Sequence, residues 1–384
     1  MYMDRILLLH ASVGMGHLSA ANAVAKAIQT TGAAHTVVED SLCYAPNLVR
    51  KLYSGLYLSI SEAAPEFWSF FYTQTDRPDP QNIRKLDSRL YSTAMGTAQL
   101  SMVLEHTQPA AIVCTHFLPI EMLDVQTYRR LPPIYCVLTD YHAHPFWKSD
   151  LVNRYFVPTQ ETRQQLVHTG IADSRISVTG IPIQPITLTN TQCQIRQELN
   201  VPQHRPVVLM ILSGLPLPRA RALIEACLAV RPLCTLLVAV GRNQTLARNL
   251  LDLEWRSGGT MRLIGAQASL NKYLTASDVV ISKAGGLTVS EVMAHGKPLL
   301  IPLPVPGQEE FNARYAIQAG AALGCSSADF ERTLRHLLSH PNQAERMSRA
   351  AHAIAQPHAA DKIATHILSD LHTSTSHKQL TALA

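Results

Sequence analysis

Short apolar runs alternate with segments of helical periodicity along the first half of the chain. The runs are continuous rather than alternately apolar and polar, which is typical of strands buried on both faces of a parallel sheet. Strands that alternate with helices predict an α/β domain whose sheet is covered by helices on both faces. The predicted strands lie at Ile6–Leu9, Ala111–Cys114, Ile134–Leu138 and Tyr155–Val157.

The same rhythm starts again after an interruption by glycine and proline. Gly180, Pro182 and Pro185 precede a polar stretch at Thr187–Gln194, and we interpret this region as a linker. The pattern predicts two doubly wound, Rossmann-like domains over residues 1–182 and 183–355, followed by a C-terminal helix and frayed tail over residues 356–384. The predicted strands of the second domain are Val207–Leu212, Thr235–Val240, Arg262–Ile264, Val279–Ser282 and Leu299–Leu303.

The composition fits a folded two-domain protein. Of the 384 residues, 47% are hydrophobic and 16% are charged, which is enough for two cores. The seven cysteines are odd in number and lack C-x-x-C spacing, so we expect reduced thiols in the cytoplasm. No apolar stretch reaches the roughly 20 residues that span a bilayer, so we expect any membrane contact to be peripheral. The net charge of +5 suits anionic headgroups or phosphates better than nucleic acid, although a solvated surface accounts for it equally well.

A glycine turn between a predicted strand and a helix is the strongest local signal. The segment KAGGLTVSE at positions 283–291 follows the strand Val279–Ser282. Glycines at a helix start let backbone N–H groups approach an anion, and the helix dipole favours negative charge there, so this position suits a diphosphate. A glutamate one turn into the helix suits the hydroxyls of a ribose, whereas a plain glycine turn explains the glycines alone equally well. The candidate residues are Gly285, Gly286, Leu287, Thr288 and Glu291.

The loop after the next predicted strand favours the functional interpretation. The segment PVPGQEEFN at positions 304–312 combines proline and glycine, which stiffen a loop, with polar side chains able to bind several hydroxyl groups. Two polar loops at successive strand ends would hold a diphosphate and a sugar side by side. The candidate sugar-binding residues are Gln308, Glu309 and Asn312.

These two motifs resemble the donor site of the family 28 glycosyltransferases. Within that family, GMGH at positions 14–17, LTDY at 138–141 and TGIPI at 179–183 resemble the diacylglycerol glucosyltransferases and monogalactosyldiacylglycerol synthases. The likeness spans about Arg5 to Ala322, and several motifs agree independently. One segment departs from the pattern, because SGLPLP at positions 213–218 replaces a glycine-rich turn and weakens the case for diphosphate contacts there.

The resemblance implies a GT-B fold, with two domains facing a central cleft. It implies an inverting enzyme that transfers a hexose from UDP-glucose or UDP-galactose to diacylglycerol and forms a β-glycolipid. It also implies that the backbone after Gly265 binds the uracil. The residues implied in nucleotide binding are Ala266 and Gln267, with Gly241, Arg242 and Asn243 nearby.

His17 ends the first glycine loop, where the first sheet would face the cleft. An ordinary histidine pKa near 6.5 would let it accept a proton from an acceptor hydroxyl, which is the general-base task of an inverting transfer. The alternative is a helix-start residue that caps backbone groups, and the resemblance favours catalysis. We therefore assign His17 as the base, with Asp140 to orient His17 or the acceptor.

Several histidines also follow predicted strands of the first domain. His116 follows Ala111–Cys114, whereas His142 and His144 follow Ile134–Leu138 together with Asp140. Two histidines without a clear third partner, and the absence of a D-x-D pair, argue against a metal site. We expect neither a metal nor another cofactor, so the helix N-terminus would stabilise the leaving UDP.

Basic and aromatic residues are dense over residues 50–72. Such a segment can lie in a bilayer interface, and an aromatic satellite core is the alternative. The resemblance favours the membrane interpretation, because relatives take up their lipid acceptor through this part of the first domain. The predicted acceptor and membrane residues are Gly16, His116, Tyr53, Tyr57, Trp68 and Phe71.

The chain is thus predicted to be a UDP-sugar-dependent hexosyltransferase that is cytoplasmic and peripherally associated with the inner face of the cell membrane. Its expected partners are UDP-glucose or UDP-galactose, diacylglycerol and an anionic membrane surface, but no nucleic acid. The alternatives are a transferase with another acceptor, such as a peptidoglycan lipid precursor or a soluble small molecule, and a nucleotide-sugar-binding regulator without catalysis. The sequence indicates neither the oligomeric state nor the choice between glucose and galactose.

Overall fold

The chain forms two compact units. The computed structural model describes residues 3–12, 14–46, 50, 97–123, 131–187, 189–230, 234–302 and 307–382. The first unit combines Met1–Pro185 with Gln356–Ala384, and the second is Ile186–Ala355.

The first unit is built on a six-stranded parallel sheet in the order β2-β1-β3-β4-β5-β6. After β2 the chain crosses back over β1, so β1 lies between β2 and β3. The strands are β1 (Asp4–His10), β2 (Ala34–Asp40), β3 (Ala111–Cys114), β4 (Ile134–Val137), β5 (Val152–Val157) and β6 (Ile176–Val178). The helices between them are α1 (Met15–Thr31), α2 (Thr97–Thr107), α3 (Phe117–Met122) and α4 (Gln160–His168).

The burial of β1 on both faces of the sheet explains why its sequence is an unbroken apolar run. Leu7 and Leu9 pack into the hydrophobic core on one face of the sheet, whereas Ile6 and Leu8 pack into the core on the other face. All four side chains are fully buried. A strand that is buried on both faces needs apolar residues at every position, so the period of two that marks a half-exposed strand is absent.

The second unit is also built on a six-stranded parallel sheet, in the order β12-β11-β10-β7-β8-β9. The prediction of two doubly wound α/β domains is therefore confirmed. The strands are β7 (Val207–Ile211), β8 (Thr235–Gly241), β9 (Met261–Gly265), β10 (Val279–Ser282), β11 (Leu299–Pro302) and β12 (Ala322–Cys325). The helices are α5 (Gln192–Glu198), α6 (Leu217–Ala229), α7 (Gln244–Arg256), α8 (Asn271–Ala276), α9 (Gly286–Ala294), α10 (Gln308–Gln318), α11 (Phe330–Ser339) and α12 (Pro341–Ile354).

Each sheet has one point where the strand order reverses. In the first sheet it lies between β1 and β3, and in the second between β7 and β10. At such a switch point the two connections leave on opposite faces of the sheet, which opens a crevice beyond the carboxyl ends of the strands. Ligand-binding residues are therefore expected just after these four strands.

The last helix, α13 (Ala359–Ala382), packs on the first unit. Ile363 and Ile367 are fully buried in the same core cluster as Ile6 and Leu8. Asp370 accepts a hydrogen bond from Arg154 Nε at 3.1 Å, which ties the helix to β5. Among the helices described, none is long and apolar enough to cross a bilayer.

Candidate functional site

At the switch point of the first sheet, the imidazole ring of His17 is held by a hydrogen bond. His17 lies in the first turn of α1, and its Nδ1 is 2.8 Å from the carbonyl oxygen of Thr115, the residue that follows β3. A carbonyl can only accept a hydrogen bond, so Nδ1 carries the proton and Nε2 keeps its lone pair. The Thr115 hydroxyl donates in return to the His17 carbonyl at 2.9 Å, which fixes α1 against β3.

Burial sets the protonation state of His17. It lowers the pKa of the ring to about 4, and the hydrogen bond to Thr115 opposes this shift only in part. The ring is therefore neutral at pH 7, with Nε2 able to accept a proton. The sequence predicted a base with an ordinary pKa, whereas the structure provides one that stays unprotonated over a wider range.

The orienting role that we predicted for Asp140 belongs instead to two threonines. Within the described residues, the hydrogen-bond partners of the His17 ring are the Thr115 carbonyl and the Thr139 hydroxyl, whose Oγ1 is 3.1 Å from Nδ1. Asp140 is the next residue after Thr139. Side-chain hydrogen bonding to a backbone carbonyl leaves no pattern in a sequence, which is why Thr115 was missed. A contribution of Asp140 to binding the acceptor stays a prediction.

His116 lies beside His17, and its role in binding the acceptor stays a prediction. The centroids of the two imidazole rings are 4.6 Å apart in an edge-to-face arrangement. His116 Nδ1 accepts a hydrogen bond from Leu118 N at 3.0 Å and caps α3, so its proton is on Nε2 when the ring is neutral. Burial first, and the neighbouring His17 and His10 second, hold the pKa of His116 well below its usual range.

The structure also locates some of the other residues that were singled out in the first domain. Gly16 lies in the first turn of α1, next to His17. His144 Nδ1 accepts a hydrogen bond from Phe146 N and caps a one-turn helix, which is a structural task. Across the part of the chain that is described, no three His, Cys, Asp or Glu side chains form a group that could hold a metal ion. The predicted acceptor and membrane residues Tyr53, Tyr57, Trp68 and Phe71 lie outside the described residues.

In the second unit the glycine turn opens helix α9 at the switch point. Gly285 is the N-cap residue and Gly286 the first helical residue, and only Lys283 and Ala284 separate them from the end of β10. Leu287 and Thr288 complete the first turn, so their N–H groups are among those with no acceptor inside the helix. The predicted anion-binding position is therefore a helix N-terminus at the carboxyl edge of the sheet, as a diphosphate site requires.

Glu291 lies one turn further along α9. Burial raises the pKa of its carboxyl group to about 7. Among the described residues, no side chain forms a hydrogen bond or an ion pair with this carboxylate. The side chain is half-buried, so solvent compensates the carboxylate only in part, and hydroxyl groups of a ligand would supply further hydrogen bonds.

The start of α10 carries the predicted sugar-binding residues. Glu309 and Asn312 are buried and Gln308 is half-buried. Glu309 Oε1 accepts a hydrogen bond from Lys283 Nζ at 2.6 Å, which links α10 to the residue after β10. Lys283 stood at the head of the glycine motif, but the sequence did not identify it as a site residue because its partner is 26 positions away.

The two predicted uracil-binding segments lie side by side. Gly241 ends β8, Gly265 ends β9, and the two glycines are register partners in the sheet. Ala266 and Gln267 are exposed beyond Gly265, as is Arg242 beyond Gly241. The Asn243 amide oxygen accepts a hydrogen bond from Leu246 N at 2.8 Å, so this side chain caps α7. That capping role competes with the nucleotide contact that was predicted for Asn243.

Comparison with known families matches each half of the chain separately. Residues 17–183 match the model of monogalactosyldiacylglycerol (MGDG) synthase, and residues 220–365 match the glycosyltransferase family 28 C-terminal domain. A processive diacylglycerol beta-glucosyltransferase of Bacillus pumilus is 28% identical over 382 residues, which cover 97% of each chain.

Solved structures agree with this fold. MurG of Acinetobacter baumannii has a TM-score of 0.58 at 17% identity and covers 96% of this chain and 99% of its own. The UDP-GlcNAc 2-epimerase of Neisseria meningitidis, solved with UDP-GlcNAc bound, has a TM-score of 0.62 at 16% identity and covers 95% of this chain and 100% of its own. Because a transferase and an epimerase both match, these likenesses define the fold and not the reaction.

The first family model begins at the catalytic histidine candidate, and the second ends in the first turns of α13. Each model covers most of one of the two doubly wound sheets. The chain therefore carries a glycosyltransferase family 28 C-terminal domain behind a segment that matches the MGDG synthase model, and it is a glycosyltransferase with the GT-B fold.

Proposed function

We propose that this glycosyltransferase transfers a hexose from a UDP-sugar to diacylglycerol at a membrane surface, with inversion at the anomeric carbon. The observation that carries the proposal is the state of His17 within the segment that matches the MGDG synthase model. Its Nδ1 proton is committed to the Thr115 carbonyl, so Nε2 is the atom left to take the proton of an acceptor hydroxyl. Nearly full-length likeness to proteins named diacylglycerol beta-glucosyltransferases supports the choice of acceptor.

In this proposal the second unit binds the donor. The N-terminus of α9 faces the diphosphate, Glu291 accepts hydrogen bonds from the ribose, and Gln308 and Asn312 contact the hexose. Gly241, Arg242, Ala266 and Gln267 border the uracil. Charge that develops on the leaving UDP is stabilised by the α9 N-terminus, so no metal cofactor takes part.

The test is sugar transfer to vesicles that contain diacylglycerol, with UDP-glucose and UDP-galactose offered separately. Mass spectrometry and anomeric NMR of the lipid fraction should identify a β-hexosyl diacylglycerol, and the productive donor names the sugar. The rate should be unchanged by EDTA. If UDP binds but neither donor gives a lipid product, the acceptor is another molecule or the chain is a binding protein.

The membrane part of the proposal is tested separately. Anionic vesicles should carry the protein upward in flotation, and added salt should release it because the attraction to headgroups is electrostatic. Flotation that is equal with zwitterionic vesicles and insensitive to salt would argue against an anionic surface as partner.

A further inference from the structure

Helix α7 presents large apolar side chains to solvent. Its inner face is an ordinary core face, because Leu246, Leu250 and Leu253 are buried in the second unit. On the outer face, Trp255 is 85% exposed and Leu251 is 52% exposed. Among the described residues, no other large apolar side chain is as exposed as Trp255. The two side chains are one helical turn apart, so they are neighbours and form one apolar patch.

An arginine continues this patch toward the start of α7. Arg248, Leu251 and Trp255 have the spacing i, i+3 and i+7, which places three side chains on one side of a helix. Two further arginines at this surface are balanced by two carboxylates. The pairs are Arg221 with Asp252 and Glu225, and Arg256 with Asp252. Arg248 is exposed, and within the described part of the chain it has no ion pair, so this surface carries an excess of positive charge.

The chemistry of these side chains suits the headgroup region of an anionic bilayer. The indole ring is apolar but carries an N–H group, and tryptophan is enriched at the boundary between lipid and water for this reason. An arginine beside it can lay its aliphatic part along apolar surface while the guanidinium group binds a lipid phosphate. A second copy of the chain fits less well, because a two-fold contact would bring two Arg248 side chains together without a carboxylate to balance them.

We propose that Arg248, Leu251 and Trp255 form a lipid-contact patch on the second unit, and that its partner is an anionic bilayer. The inference rests on the proposed action at a membrane surface. It adds a contact that the sequence did not predict, because the predicted membrane residues all belong to the first domain. Two weak contacts on one chain bind a surface more tightly than either contact alone, so the patch would strengthen attachment without being the only anchor.

The test is flotation of the full-length chain with vesicles of phosphatidylglycerol and phosphatidylcholine. Trp255→Ser should lower vesicle binding by about tenfold or more, whereas Trp255→Phe keeps an apolar ring and should retain most of it. Arg248→Glu should lower binding by about fivefold or more, because each basic side chain near an anionic surface adds to the attraction. Arg346→Glu is the matched control, since it changes the net charge equally at an exposed position on α12.

The indole ring also reports the contact without a loss of binding. Lipids brominated in their acyl chains should quench the fluorescence of the unaltered protein more than that of Trp255→Phe. Equal quenching, or vesicle binding that neither Trp255→Ser nor Arg248→Glu weakens, would overturn the lipid-contact patch. A change from dimer to monomer in Trp255→Ser with unchanged vesicle binding would also overturn it, because the patch would then join two copies of the chain.

Transfer assays separate this inference from the proposed function. With a short-chain diacylglycerol dissolved as monomers, Trp255→Ser should transfer sugar as fast as the unaltered protein, whereas with vesicles it should be slower. Equal slowing with both acceptors would argue against a contact that acts only at the membrane. If the unaltered protein uses neither acceptor but the variants still bind vesicles more weakly, the patch stands and the proposed acceptor is wrong.

Discussion

His17 is held by a backbone carbonyl rather than by a charged partner, and this sets the protonation state of its ring. A carboxylate partner would raise the pKa of the ring, whereas the Thr115 carbonyl raises it only enough to offset part of the burial. The pKa of the ring is about 4, so the ring is neutral at any pH well above that value. Its contribution to kcat should be constant between about pH 6 and pH 8.

We expect His17→Ala to lower kcat by about 10²- to 10⁴-fold, since the variant lacks the proton acceptor. The affinity for UDP should stay the same, because the donor motif lies in the other unit. The measurement is steady-state transfer together with UDP calorimetry. His168→Ala is the control, because His168 also bonds a backbone carbonyl through Nδ1 but is exposed on α4. A parallel loss of transfer and UDP binding would contradict the general-base role.

If Glu291 binds the ribose as proposed, donor binding should depend on pH. The pKa of its carboxyl group is about 7 without ligand, and ribose hydroxyls can donate to the carboxylate but gain less from the neutral acid. Binding therefore releases a proton, so the affinity for UDP-glucose should rise about tenfold from pH 6 to pH 8. UDP-glucose is the probe because it has no terminal phosphate that titrates in this range. Glu291→Gln should bind more weakly and without this pH dependence, and an equal slope in the two proteins would refute the assignment.

The sequence predicted which residues lie near the carboxyl ends of the strands. It did not predict which of these residues form hydrogen bonds with one another. The glycines follow apolar runs, and His17 and Glu291 lie in the helices that these glycines open, so their place near the carboxyl edge of a sheet follows from the local pattern. The bonds from His17 to Thr115 and from Lys283 to Glu309 join residues that are 98 and 26 positions apart. Only the strand order brings these residues together, and strand order leaves no mark in local periodicity.

At the scale of elements, the helix that carries the donor motif is anchored at its C-terminal end. Helix α9 ends in a Schellman motif, in which Lys297 N donates to Val292 O at 3.1 Å and Gly296 N to Met293 O at 2.9 Å. Gly296 has φ of +59°, and the imidazole ring of His352 on α12 lies directly over it. The close approach of α12 therefore needs a residue without a Cβ atom at this position.

Gly296→Ala should destabilise the second unit by more than the cost of its backbone conformation alone. An alanine in the left-handed region costs about 1–2 kcal/mol, and overlap with His352 adds about 1–3 kcal/mol. Gly258→Ala is the matched control, because Gly258 ends α7 with φ of +60° and has nothing within 4 Å of an added Cβ. Urea unfolding measures both changes. The double variant Gly296→Ala/His352→Ala should recover the difference, and equal costs at the two glycines would rule out the overlap.

At the scale of the whole molecule, the chain crosses between its units twice. It leaves the first unit after Pro185 and returns to it at Gln356. The helical periodicity of the C-terminal segment could be recognised from the sequence, but its packing partner could not, because the apolar face of α13 would suit either core. The family 28 C-terminal model even extends to residue 365, although this part of α13 packs on the first unit.

This return makes the C-terminal helix essential to the N-terminal core. Truncation after Ala355 would expose the core surface that Ile363 and Ile367 cover, and each such isoleucine contributes about 1.5–3 kcal/mol. With the rest of the helix, the loss is comparable to the whole stability of a domain, about 5–15 kcal/mol. We expect the truncated chain to lose hydrogen-exchange protection in β1 while β7 and β10 keep theirs, and UDP binding should survive while transfer is lost. Asp370→Asn removes the charge that pairs with Arg154 but keeps an amide oxygen that can accept from the Tyr135 hydroxyl, so it should cost about 1 kcal/mol or less and serves as the control for the salt bridge. Loss of protection in β10 together with β1 would mean that the two units fold as one cooperative body.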